Sequence, residues 1–197
     1  MHPNAAFRHD DDALAFVAAQ AFAHIFAATP HGPRVAHAPV VVSATGSLMF
    51  HLAKYNDLAQ QLDGAVALAS VGGPGNYVSP NWYAAPAGNV PTWNYHAVEV
   101  EGRVRAMNEA ELEDLLNSAS ATFEHRVGEN WTMAKMERPR AEAMMRGIIG
   151  YELIPSAIRT TLKANQNRSA ADAAGVVAAL ERLGDAAGAA LIRKARQ

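Results

Sequence analysis

The chain of 197 residues has no cysteine. Disulfides, zinc–thiolate centres and thiol nucleophiles are therefore excluded, and the absence accords with a reducing compartment. An excess of positive charge is missing too. Lys and Arg number 17 against 19 Asp and Glu, for a net charge of −2. A protein that reads DNA through phosphate contacts is normally basic, so the balance argues against direct DNA binding. No apolar run is long enough for a transmembrane helix. The first dozen residues lack the basic-then-apolar order of a secretory signal. A soluble, cytoplasmic protein is the expectation. Charged residues make up only 18% and hydrophobic ones 50%, which permits both a sizeable core and a large subunit interface.

Several catalytic patterns are also lacking. No Gly-x-Ser-x-Gly is present to expose a nucleophilic serine. The eight histidines include no His-Glu-x-x-His and no pair four apart, so no metal site is expected. The run Val71-Gly72-Gly73-Pro74-Gly75-Asn76 has no Lys-Ser/Thr ending, and Val78 stands where the last glycine of a dinucleotide fingerprint belongs. It is read as a tight turn that ends a strand over residues 65–71.

What is present reads as strands first and helices late. Asp10, Asp11 and Asp12 offer a helix cap before Leu14 and Val17. Strands are expected over residues 23–29, 34–42 and 48–52, with Pro39 at an edge or bulge, and a short helix over 55–62. The clearest strand is 98–106: Val98, Val100 and Val104 fall on one parity, and Glu99, Glu101, Arg103 and Arg105 on the other. Gly102 within it is read as a bulge. Asn108 and Glu111 have capping-box spacing before Leu112 and Leu115. A short helix over 140–146, a strand over 148–161 interrupted at Pro155, and two helices after Ser169 complete the list. No β-α-β alternation occurs. The fold class is therefore mainly β with peripheral α-helices (α+β), built as an antiparallel barrel. The expected organisation is one barrel domain over residues 1–168 and a helical extension over 169–197 packed on the same domain.

Two aromatic clusters sit close together: Gly75-Asn76-Tyr77-Val78-Ser79-Pro80-Asn81-Trp82-Tyr83 and Val90-Pro91-Thr92-Trp93-Asn94-Tyr95. They combine flat apolar faces with amides and hydroxyls, as the wall of a planar polar ligand does. A core or dimer interface explains them equally well. The segment His51-Leu52-Ala53-Lys54-Tyr55-Asn56 places a lysine where a strand ends. Lys163-Ala164-Asn165-Gln166-Asn167-Arg168 gathers two cations and three amides. Taken alone, each reads more simply as exposed surface than as a ligand clamp.

Together these segments, with Arg34-Val35-Ala36-His37-Ala38-Pro39, Gly150-Tyr151-Glu152 and the Met1-His2-Pro3 start, resemble the PaiB-like family of FMN-binding negative transcriptional regulators. The resemblance covers nearly the whole chain. It implies a split β-barrel similar to pyridoxamine-phosphate oxidases and flavin reductases, and a homodimer with FMN at the subunit interface. Carried over by motif, Lys54 and His51 would meet the flavin phosphate, and His37 would line the same pocket. Trp93 and Asn94 would lie near the ring, with Lys163 and Gln166 closing the site. Tyr55 replaces a small residue common in relatives, and Ala164-Asn165 replaces a Leu-Ser. The implied function is flavin-dependent redox or regulatory, linked to negative control of transcription; the alternative is a dimeric interaction module that has lost its flavin. No catalytic acid, base or nucleophile stands out.

Overall fold

The computed structural model describes residues 4–8 and 12–196. The expected contributions of Met1-His2-Pro3, Asp10 and Asp11 lie outside the described residues. The chain divides into two compact units: residues 1–13, 72–98 and 159–197, and residues 14–71 and 99–158. These are called the first and second unit.

The second unit holds α1 (Ala13–Gln20) from Leu14 onward, followed by β1 (Phe22–Thr29), β2 (Gly32–Pro39), β3 (Val41–Val42) and β4 (Leu48–Ala53). The later strands β5 (Val66–Val78), β6 (Thr92–Ala106) and β7 (Ile148–Lys163) contribute residues to both units. The strand order is β2-β1-β5-β6-β7-β4-β3. β1 pairs antiparallel with β2 and β5, and β4 pairs antiparallel with β3 and β7. β2 also packs against β4, so the sheet curls upon itself as a split barrel does. Ile25, Phe50, Leu48, Val71, Val100 and Leu153 are buried in it. Tyr151 stacks on Phe50 at 5.5 Å between ring centroids and donates its hydroxyl to the Ala59 carbonyl. Burial, helped by the Asp63 carboxylate, pushes the Tyr151 phenol up to about 12, which keeps that donor protonated.

Two helices complete the second unit. In α2 (Glu109–Val127) the Asn108 side chain accepts from Glu111 N and the Glu111 carboxylate accepts from Asn108 N, the capping box the spacing calls for. Gly128 ends the helix in the left-handed region at φ 73°. α3 (Arg138–Met145) follows, and Arg138 grips Glu113 of α2 at 2.6 Å and its own Glu142 at 2.8 Å.

The first unit closes with α4 (Ala170–Arg182) and α5 (Ala186–Lys194). Ser169 caps α4 by accepting from Asp172 N. Val176, Leu180 and Ile192 pack with Val78, Tyr83 and Leu162 in one buried cluster. α4 approaches the turn Pro80–Trp82 so closely that a Cβ on Gly175 would fall 2.1 Å from the Trp82 carbonyl oxygen.

Three local expectations are corrected. The Gly72–Gly75 run does not end a strand, because β5 continues through it to Val78. Glycine here serves a close approach, since a Cβ on Gly75 would come within 3.3 Å of the Asn94 carbonyl oxygen. Pro155 does not interrupt β7, which runs unbroken to Lys163. The helix expected over 55–62 is reduced to turns and the 3-10 turn Ala59–Gln61. Gly102 is explained by contact: a Cβ would lie 2.1 Å from the Ile154 carbonyl oxygen on β7.

That last contact gives a direct test. Gly102→Ala should cost at least about 2 kcal/mol in a urea unfolding curve, because the clash is with backbone and no side chain can swing away. A loss within experimental error would show that the strands separate freely at this point.

Candidate functional site

β6 enters the first unit with alternating faces. Asn94 is 1% exposed, while its neighbour Trp93 is 60% exposed. A strand turns successive side chains to opposite faces, so these two residues cannot serve one side of the sheet. Thr92 and Asn94 face a cavity of about 220 Å³, together with Phe7, Tyr83, Asn165 and Arg168. Trp93 instead meets Tyr77 edge-on at 6.2 Å, and Tyr77 meets Trp82 at 6.3 Å. The two aromatic clusters do touch, through Tyr77.

The cavity is defined by polar groups without partners. Both amide atoms of Asn94, the Tyr83 hydroxyl and Asn165 Nδ2 are buried and make no hydrogen bond. Buried polar groups are nearly always paired, and leaving one unpaired costs about 1–3 kcal/mol. Here four such atoms belong to three residues that line one space. Asn165 also sits at φ 61°, a left-handed conformation that asparagine tolerates better than most residues. Arg196 holds this loop by donating to the carbonyls of Asn165 and Arg168 at 3.0 and 3.1 Å.

Two cations stand at the cavity. The Lys163 ammonium donates to Thr92 Oγ1 at 2.6 Å and lies 5.9 Å from the centre of the Phe7 ring. The Arg168 guanidinium lies 4.8 Å over the Tyr83 ring and donates to Asn89 Oδ1 at 2.7 Å. Neither cation faces a carboxylate among the cavity-lining residues. The lining thus offers two positive charges, a free amide donor and acceptor, and a free hydroxyl.

The seven residues named from sequence fall in several places. Asn94 and Lys163 share this cavity. Gln166 is close in sequence, but its side chain accepts from Ala164 N at 2.7 Å and donates to the Leu162 carbonyl, so it shapes the loop. Trp93 occupies the opposite strand face. In the second unit, Lys54 shares a cleft of about 460 Å³ with Arg146 and the start of α2. His51 opens into a separate, methionine-lined cavity. His37 lies on the exposed face of β2, its ring 4.8 Å from that of His24 on β1. Sequence reasoning weighed Tyr83, Asn165 and Arg168 only as parts of a ligand wall or clamp without naming them as site residues, and it passed over Phe7. Asn165 and Arg168 had a signal in their dense polar segment. Phe7 had none, since only its placement by the bridge between Arg8 and Thr161 brings it to Lys163. Among the described residues, no cluster of His, Asp and Glu is placed to hold a metal ion.

This antiparallel split barrel with peripheral helices is a fold seen in solved flavin-binding proteins. Its solved counterparts include the FAD and heme binding protein from Mycobacterium smegmatis, with a TM-score of 0.61, 13% identity, and coverage of 79% of this chain and 71% of that one. A flavocytochrome from Azotobacter vinelandii gives a TM-score of 0.60 and 15% identity over 79% and 68% of the two chains. At these identities the likeness establishes the fold. Residues 1–155 match the family described as "Putative FMN-binding domain", and the chain belongs to that family, the one its motifs resemble. FMN or a related flavin is the cofactor that goes with it. The Protease synthase and sporulation protein PAI 2 of Bacillus subtilis is 30% identical over 109 residues, 55% of this chain and 52% of that protein. The match thus spans about half the length of that relative. An uncharacterized protein of Emericella nidulans is 26% identical over 85% of this chain and 80% of its own.

The unpaired amide predicts an unusual stability effect. Asn94→Leu removes two unsatisfied buried atoms at nearly constant volume. It should raise the unfolding free energy of the flavin-free protein by about 1 kcal/mol. A loss of stability in urea titrations would mean that the amide is satisfied, and that Asn94 is a structural residue.

Proposed function

We propose that the chain is an FMN-binding regulatory or redox protein that works as a cytoplasmic homodimer, and that the polar cavity at Asn94 receives the polar edge of the flavin ring. The observation that carries this reading is the set of unpaired buried groups around that cavity. A flavin's pyrimidine edge presents carbonyl oxygens beside a ring N–H. Asn94 supplies the complementary donor and acceptor, Tyr83 and Asn165 add further hydrogen-bonding groups, and Lys163 and Arg168 favour negative charge on the guest. The cavity is smaller than the roughly 300–1,000 Å³ usual for a whole ligand, so it suits one end of FMN. Lys54, which the motif resemblance carries over to the flavin phosphate, lines a cleft of the second unit with Arg146. Trp93 and Tyr77 present exposed aromatic rings suited to cover a flat ligand or a second chain. His37 and His51 stay outside this assignment.

When bound, the flavin would supply electron transfer, and the residues named here would bind and orient it and exclude water. No side chain at the cavity is placed as a catalytic acid or base, which leaves regulation through ligand state as well supported as turnover. A link to transcriptional control rests on the resemblance of the motifs to the PaiB-like family. With a net charge of −2, such control would run through a metabolite or a protein partner more readily than through direct DNA contact. The homodimer is supported by a sheet face that leaves Phe22, Phe26, Val35 and Val66 between 41% and 56% exposed, an apolar surface of the kind that marks an interaction site.

Two experiments check this reading. Added FMN should lose fluorescence on binding and stay with the protein through desalting. Asn94→Leu should weaken both FMN and riboflavin at least tenfold, whereas Lys54→Ala should weaken FMN alone. No retention of FMN at saturation rejects the flavin reading, and equal effects of Lys54→Ala on both ligands reject the phosphate role. In sedimentation velocity, wild type should run as a dimer and Phe26→Asp as a folded monomer; a wild-type monomer, or a variant that stays dimeric, contradicts the proposed interface.

A further inference from the structure

A second pocket, of about 260 Å³ and open to solvent on one side, lies wholly within the second unit between α2 and α3. Its chemistry is unlike that of the cavity at Asn94. Met133, Met136, Met144 and Met145 line it, so over half of the chain's seven methionines face one space. Leu116, Ala141 and Ile148 add aliphatic wall, and Trp131 forms part of the rim. No charged side chain lines it. Methionine adapts to irregular guests, and its sulfur makes favourable contacts with aromatic rings.

Polar groups at this space are few and specific. The Ser120 hydroxyl donates to the Leu116 carbonyl at 2.8 Å, which leaves it an acceptor only. The His51 imidazole has no hydrogen-bond partner among the described residues. Burial holds His51 below the ordinary histidine pKa, so at neutral pH the ring offers one donor and one acceptor to whatever enters. The walls are anchored. Arg138 bridges α3 to Glu113 of α2, and Trp131 N donates to Glu124 Oε2 at 2.7 Å.

We propose that this methionine-lined cavity is a binding site for a small, neutral aromatic molecule carrying one hydrogen-bonding group, which His51 recognises. Size supports the class. An apolar cavity of about 150 Å³ takes up a benzene ring, so 260 Å³ admits two fused rings. Absence of lining charge selects against an ionised guest, because burying an unpaired charge is costly. The site gives the protein a means to sense or act on an aromatic metabolite, and it stands whether or not the flavin reading holds.

Isothermal titration of the full-length protein with 2-naphthol, with naphthalene-2-sulfonate as the charged analogue, tests the assignment. The expected result is one 2-naphthol per chain, bound at least tenfold tighter than the sulfonate. Ala141→Met, which fills the cavity, should abolish the binding. Met144→Lys places a cation at a position 61% exposed and cannot disturb a core. It should weaken 2-naphthol and strengthen the sulfonate. His51→Phe should weaken 2-naphthol about tenfold, the worth of one hydrogen bond, and leave naphthalene unchanged. The proposal is overturned by absence of saturable binding, by equal affinity for the two ligands, by indifference to Met144→Lys, or by displacement of 2-naphthol on adding FMN. The last outcome would assign the cavity to the flavin; failure to bind FMN at all would leave the naphthol result standing.

Discussion

The pleat of β6 is the constraint on which the rest depends. Over its fifteen residues Asn94, Val98, Val100 and Val104 are buried on one parity, while Trp93 and Arg103 are exposed and Glu99, Glu101 and Arg105 half-buried on the other. The same alternation, carried back toward the start of the strand, sends Thr92 and Asn94 inward and Trp93 outward. A shift of one residue would exchange these faces along the whole strand. It would put a tryptophan in the cavity, a free amide in solvent and charge in the barrel core. Gly102 helps to fix the register, because only glycine admits the Ile154 carbonyl at that point.

Inside that frame the cavity at Asn94 is held by polar contacts that leave other polar contacts unmade. Lys163 is held by Thr92, Arg168 by Asn89 and the Tyr83 ring, and the 164–168 loop by Arg196. These bonds orient the cations, yet the Asn94 amide, the Tyr83 hydroxyl and Asn165 Nδ2 have nothing to bind. Such an arrangement is costly in a folded chain and is explained by a guest that supplies the missing partners. The methionine-lined cavity shows the opposite economy: apolar walls, one neutral imidazole and no charge. Two spaces of such different character serve different chemistries.

Much of this was legible in the sequence. The parity of residues 98–106, the capping box at Asn108 and Glu111, and the lack of β-α-β alternation all carry through to the structure, because each rests on local periodicity or local hydrogen bonding. The polar segments around Asn94 and Lys163 were legible as motifs. The glycine run at 72–75 was misread because its local signal is that of a turn, while the neighbouring strand supplies a reason for glycine that no local rule contains. Pro155 was misread too, since β7 runs on through it. Phe7 and the pairing of Arg168 with Tyr83 depend on residues about 80 or more positions apart, and the opposition of Trp93 to Asn94 becomes meaningful only once the cavity side of β6 is known. His51 and the four methionines come together from a strand, one helix and the connection before it, which no single stretch of sequence reveals.

The central claim is that the Asn94 amide completes its hydrogen bonds on a flavin. Its side-chain NH2 group gives resolved nuclear magnetic resonance signals in a protein labelled with nitrogen-15, assignable by their loss in Asn94→Leu. Titration with FMN should move these signals strongly and slow their exchange with solvent as the amide acquires a partner. Saturation of the protein with FMN while the Asn94 signals stay in place would contradict the account.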